Sequence, residues 1–114
     1  MAEQVAASYL RAHGYKIEAV NWRRKSYEID IVARKAECLV FVEVKSAQGK
    51  SYGPPELRVD RRKQRKIAVA ASEYLSLLES LPDEARFDVI AISWPRGKSP
   101  SITHLESAFI IEED

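Results

Sequence analysis

Apolar and polar positions follow two rhythms along the chain, and the switches between them mark the elements. From Ala2 to about His13, Val5, Ala6, Tyr9 and Leu10 recur at the spacing of one helix face, and Gly14 follows as a helix-ending residue. The period then drops to two. Tyr15, Ile17 and Ala19 alternate with polar neighbours, which predicts a strand running to Trp22 and breaking at Arg23, Arg24 and Lys25. Two further strands are predicted at Tyr27 to Ala33 and Cys38 to Val44, joined by a polar connector. Their β-branched residues favour strand over helix, and apolar side chains on both faces predict burial on both sides.

The stretch from Ser46 to Leu57 holds Gly49, Gly53, Pro54 and Pro55 and reads as a mobile surface loop. Asp60 is a candidate N-cap for a helix to about Glu79, stopped by Pro82, with Ile67, Ala70, Ala71, Tyr74, Leu75 and Leu78 as its buried stripe. Arg86 to Trp94 is a further buried strand. Ser101 to Phe109 is a weaker edge strand before an acidic tail expected to fray. The order α-β-β-β-α-β-β implies an α/β fold, helices packed on a mixed sheet, with residues 1–114 as a single domain.

Composition narrows the classes. With 46% hydrophobic and 31% charged residues the chain suits one globular domain rather than a disordered segment. Cys38 is the lone cysteine, which excludes an intrachain disulfide and a Cys-rich zinc site, and its place at a strand start favours a buried thiol over a nucleophile. No apolar run approaches the roughly 18 residues of a membrane span and no signal pattern opens the chain, so a cytoplasmic protein without membrane contact is expected. His13 and His104 stand far apart without ligand-like neighbours, so no histidine metal site is expected. Eighteen Lys and Arg against seventeen Asp and Glu give +1, and only charge placement can argue for a nucleic-acid partner.

The informative anomaly is that carboxylates interrupt both central strands, as Glu28-Ile-Asp30 and as Glu43-Val44-Lys45. A hairpin turning about Ala36 and Glu37 sets Asp30 opposite Glu43 and Glu28 opposite Lys45, all four on one face. Opposed Cβ atoms lie about 4.5–5.5 Å apart, where two ionised carboxylates repel. A divalent cation, a proton held by one raised carboxyl, or Lys45 leaning between the acids would each compensate. The donors suit a hard cation such as Mg²⁺, with a backbone carbonyl and a substrate phosphate completing its oxygens. A solvated sheet edge or a plain Glu28 to Lys45 ion pair is the alternative.

Charge is also concentrated at Arg61-Arg62-Lys63-Gln64-Arg65-Lys66, at a helix N-terminus where the macrodipole disfavours cations by about 0.3–1 kcal/mol each. A phosphate backbone would reverse that sign. Lys63 stands one turn before Ile67 and is expected to point at Glu43 and Lys45, with Gln64 beside it. Arg62 and Arg65, together with Arg23 and Arg24, are candidate phosphate contacts, although a solvated basic face is the commoner outcome. Trp22 could stack a base, but a strand-end tryptophan is more often packing, and Trp94 is assigned to packing.

These residues, together with Glu3, Tyr9-Leu10, Asn21, Gly53, Glu56 and Arg86-Phe87-Asp88-Val89, resemble the YraN family of small bacterial proteins over nearly the whole chain. That family is similar to PD-(D/E)XK restriction-endonuclease-like nucleases, more narrowly the Holliday-junction-resolvase type. The resemblance implies a restriction-endonuclease-like fold, with Asp30, Glu43 and the Val44 carbonyl on Mg²⁺ or Mn²⁺. It implies Lys45 at the attacking water or the transition-state charge, and Glu3 approaching the same site from the first helix. It implies phosphodiester hydrolysis on nucleic acid, DNA in the first instance, including branched or repair intermediates. A homodimer is open by analogy with enzymes that cut two strands. The alternative is a non-catalytic nucleic-acid-binding or protein-interaction module on the same fold.

Overall fold

The computed structural model describes residues 2–48, 58–94, 97 and 99–110. Its elements are α1 (Ala2–Ala12), β1 (Lys16–Arg24), β2 (Tyr27–Lys35), β3 (Cys38–Gln48), α2 (Arg61–Ser76), β4 (Glu84–Trp94) and β5 (Ser101–Leu105). The strands form one sheet in the order β1-β2-β3-β4-β5. Every neighbouring pair is antiparallel except β3 and β4, which run parallel because α2 carries the chain back across the sheet between them. This is the α/β arrangement expected of the restriction-endonuclease-like fold.

Each face of the sheet is closed by one helix. Ala6, Ala7 and Leu10 of α1 pack on Ile31, Ala33, Val40, Val42, Ile90 and Ile92. On the opposite face Ala70, Ala71 and Tyr74 of α2 meet Ile29, Val32, Leu39 and Phe41, while Ile67 packs with Val59, Val89 and Ala91. Consecutive residues such as Ile31 and Val32 are therefore both excluded from water, as the two-sided apolar strands required.

Alternation slips twice along β1, at Glu18, where Ile17 packs on the α1 side and Ala19 on the α2 side, and again at Asn21. Asn21 takes a left-handed φ of 52°, a conformation its short polar side chain tolerates, and the β1–β2 register shifts between Ile17 and Ala19. Ala19 and Trp22, three apart, both join the α2-side cluster, as do the residues opposite them, Val32 and Ile29. Strict period two across these strands is thus corrected, and the slip in β2, with Ile29 and Val32 on one face and Ile31 on the other, brackets Asp30.

Several boundaries differ from expectation. β1 continues through Arg23 and Arg24, and the turn falls at Lys25, whose φ is 58°. α2 ends at Ser76, well before Pro82. There the Ser76 hydroxyl donates to the Glu73 carbonyl at 2.7 Å and the Leu77 amide turns to Tyr74 O at 3.1 Å, which tightens and closes the last turn. Ser46 to Gln48 extend β3 along β4 rather than opening a loop. The rest of that expected loop, residues 49–57, and the acidic tail at 112–114 lie outside the described residues. β5 stops at Leu105, four residues short of Phe109, because the chain reverses at Ser107, whose φ is 51°.

Candidate functional site

β2 and β3 pair in the expected register, from Lys35 opposite Cys38 to Ile31 opposite Val42. Past that point a side chain replaces the ladder: the Val44 amide donates to Asp30 Oδ2 at 2.8 Å. The strands fork at the acids. The small cleft so opened is lined by Glu28, Ile29, Asp30, Phe41, Val42, Glu43, Ile67, Asp88 and Phe109.

Glu43 sits deep in this cleft, its side chain 13% exposed, with Lys63 Nζ 3.6 Å from Oε2. Burial first, then a hydrogen bond with Asp30 and the Asp30 charge, push Glu43 up to about 7, against the opposing pull of Lys63. Of the compensations open to opposed carboxylates, a raised carboxyl and a lysine are both in place. The lysine at Glu43 is Lys63 of α2, while the Lys45 ammonium donates to the Arg58 carbonyl.

The start of α2 explains the reach of Lys63. Asp60 is the N-cap, and its carboxylate accepts from the Lys63 amide at 2.8 Å. That phase turns Ile67 into the core and carries Lys63 over the cleft. Gln64 is committed locally, donating through Nε2 to the Val59 carbonyl at 2.7 Å. Arg61, Arg62, Arg65 and Lys66 are exposed, with no acidic residue in the first turn.

The other candidates are dispersed. Arg23 pairs with Glu28 at 3.5 Å and Arg24 with Glu73 at 3.1 Å, exposed contacts that contribute little to stability. Trp22 meets Tyr74 edge-on at 5.4 Å and is packing, as is Trp94 against the α1-side cluster. Burial raises the Cys38 thiol, as fits an inert cysteine. Glu3 is half-buried in the first turn of α1. Its neighbours Ala2 and Val5 pack on the same cluster as Val44, which brings the start of α1 to that region of β3.

One cluster was not expected. Asp88, wholly buried in β4, receives Arg86 Nε and Nη2 at 2.9 Å, pairs with His104 Nε2 at 2.7 Å, and accepts the Ser107 amide at 3.0 Å. Burial raises its pKa, but hydrogen bonds from His104, Arg86 and Ser107 outweigh that and hold the carboxyl below its ordinary value. His104 Nδ1 lies 3.2 Å from the Tyr9 hydroxyl, and Arg86 Nη2 also reaches Tyr15 and Glu106. The expectation that His104 lacks ligand-like neighbours is therefore corrected. Asp88, His104 and Glu106 bring ligand atoms within 4.8 Å of one another, a group that could hold a metal ion. The Arg86 guanidinium, however, already fills the space between the two carboxylates. The signal was in the sequence: Arg86 and Asp88 share a strand face, and Asp88 is the sole charge between Phe87 and Trp94.

A family model described as "Uncharacterised protein family UPF0102" matches residues 2–92. The chain belongs to this family. A UPF0102 protein of Geobacter metallireducens is 47% identical over 107 residues, covering 94% of this chain and 87% of its own length. One from Pelobacter propionicus is 48% identical over 109 residues, covering 94% and 78%. One from Trichlorobacter lovleyi is 42% identical over 110 residues, covering 96% and 87%. The UPF0102 match takes in Asp30, Glu43, Lys45, Lys63 and Asp88, and ends before His104. Among the described residues of this UPF0102 chain, no helix is long and apolar enough to cross a membrane.

Proposed function

We propose that the Asp30–Glu43 pair binds a divalent cation, Mg²⁺ or Mn²⁺, and that the chain hydrolyses phosphodiester bonds in nucleic acid, DNA in the first instance. The observation that carries this is the fork itself, where two carboxylates meet at one end of the β2–β3 ladder and the inner one is driven to about 7. The carboxylates of Asp30 and Glu43 offer oxygen donors, which with the Val44 carbonyl assigned as a third would fit a hard cation. Bound there, such a cation would supply Lewis-acid charge stabilisation and a more acidic water.

The remaining roles fall to the chain's own groups. Lys45 follows Glu43 on the same strand face and is assigned to the developing transition-state charge. Lys63 holds Glu43 in place and balances its charge. Arg62 and Arg65 project from the exposed side of α2 to phosphates flanking the site. The acidic pair is preferred over Asp88, His104 and Glu106 as the cation site because Arg86 would have to leave the second group first. Nucleic acid is the proposed partner, and a homodimer would bring two such clefts together.

One observation favours a non-catalytic module. Lys63 already pairs with Glu43, and Lys45 already donates to the Arg58 carbonyl, so the acids are partly balanced without a cation. Calorimetric titration with Mn²⁺, followed by cleavage assays on duplex, single-stranded and junction DNA, decides between the two. Lys45→Ala should fold and bind DNA normally yet cleave about 10²–10³-fold more slowly. Absence of cleavage by the unaltered chain with either metal would transfer the case to the binding module.

Salt separates binding from chemistry. If the outer face of α2 contacts duplex phosphates, log affinity should fall against log salt with a slope near −0.9 per contact. Replacing both Arg62 and Arg65 with alanine should make that slope shallower by roughly one unit per lost contact. An unchanged slope would place α2 away from the nucleic acid.

A further inference from the structure

Beyond β5 the chain folds back toward the acidic cleft, and a buried carboxylate holds it there. Ser107 adopts a φ of 51°, in the left-handed region that costs a non-glycine residue free energy, and its amide donates to Asp88 Oδ1 at 3.0 Å. The next amide, Ala108, donates to the Phe87 carbonyl at 2.7 Å. Phe109 then stacks on Phe87, with ring centroids 4.9 Å apart and planes at 21°, and forms part of the lining around Asp30 and Glu43.

This stack is the last step of a row of aromatic rings along the α2 side of the sheet. Phe109 meets Phe87, Phe87 meets Phe41 at 5.6 Å, and Phe41 meets Tyr74 at 5.9 Å. The inner rings are fixed by strands or by α2. Phe109 is half-buried, belongs to no helix or strand, and is followed by Ile110 at 79% exposure. It is the one member of the row held by neither a helix nor a strand.

We propose that residues 106–109 form a strap that closes one wall of the acidic cleft, with Asp88 as the positioning residue that clasps it through the Ser107 amide. Asp88 can serve as a clasp because Arg86 and His104 fix both of its oxygens and water does not reach it. Swinging the strap out moves Phe109 off Phe87 and widens the approach to Asp30 and Glu43. That motion admits a nucleic-acid strand only if the proposed function holds, whereas the strap itself stands independently of it.

The decisive variant is Ser107→Pro. Proline has no amide to donate and cannot take a positive φ, yet position 107 is exposed and Asp88 keeps Arg86 and His104. Hydrogen exchange at the Ala108 amide should rise at least about tenfold in this variant, while the Ile90 amide in the centre of the sheet exchanges as before. Relaxation of methyl groups by dissolved oxygen should increase at Ile29 and Ile67, which line the cleft, and stay unchanged at Ile90 and Ile92 on the other face. Phe109→Ala should reproduce the methyl effect. Wild-type values for both readouts in Ser107→Pro would overturn the strap. If the chain cleaves DNA, Phe109→Ala should also lower KM, since the closed population no longer reduces apparent affinity. If it does not cleave DNA, the exchange and relaxation readouts still decide.

Discussion

Glu43→Gln is expected to stabilise the cation-free protein at pH 8 by roughly 2–3 kcal/mol and to abolish divalent-cation binding in the same variant. Glu43 is raised from an ordinary 4.5 to about 7 by burial and by Asp30. A carboxyl whose folded value lies above its unfolded one contributes stability that is complete below pH 4.5 and is lost as pH rises through about 7. Above that point Asp30 and Glu43 confront each other as carboxylates, with Lys63 as the opposing charge at 3.6 Å. Glutamine keeps the shape and removes the repulsion. Urea unfolding of the wild type should therefore show lower stability at pH 8 than at pH 5, while Glu43→Gln should show little of that decline. Mn²⁺ at pH 8 should restore the wild type alone. A wild type equally stable at both pH values would mean that the pair holds no proton, and the case for a cation site would weaken with it.

That opposition was legible in the chain because the hairpin turn is short. With Ala36 and Glu37 alone between the paired residues Lys35 and Cys38, the register is set as far as Ile31 opposite Val42, but the ladder stops there: the acids meet beyond it at a fork, not as the expected cross-strand pairs Asp30–Glu43 and Glu28–Lys45. Lys63 was legible for a similar reason: a helix beginning at Asp60 and burying Ile67 fixes the phase of everything between them. The slip at Asn21 was not legible, since a left-handed residue inside a strand leaves the apolar count unchanged while altering which residues share a face. Nor was the reversal at Ser107. β5 ends there because the Asp88 carboxylate takes the Ser107 amide, a partner 19 positions away. The contacts of Tyr9 with His104 and of Tyr15 with Arg86 span 95 and 71 positions, and no local rhythm encodes them. Periodicity assigned each of these residues to an element, but only the assembled sheet brings them together.

Removing the Asp88 carboxylate should have a large effect of the opposite pH sign. Asp88→Ala is expected to cost about 3 kcal/mol at pH 7, toward the lower end for breaking a buried ion pair, because the Arg86 side chain left behind is 24% exposed and can be partly hydrated. The same substitution strands His104 Nε2 and the Ser107 amide. In the wild type the Asp88 carboxyl lies below its ordinary 3.8 because the hydrogen bonds outweigh burial. Its contribution is therefore present above that value and disappears as pH falls through the lower, folded one. Asp88 thus weakens the fold in acid while Glu43 weakens it toward pH 7, so the cation-free protein should be most stable in the mildly acidic interval between them. Unfolding midpoints of wild type, Asp88→Ala and Glu43→Gln across pH 3 to 8 would test this directly. Asp88→Ala should flatten the acid limb, leaving the part carried by Glu18, whose carboxyl burial raises but hydrogen bonds from Arg34 and Tyr74 hold below its ordinary value, and Glu43→Gln should lose the upper limb. A cost below about 1 kcal/mol for Asp88→Ala would show that the network joining α1, β4 and β5 contributes no more than an exposed pair.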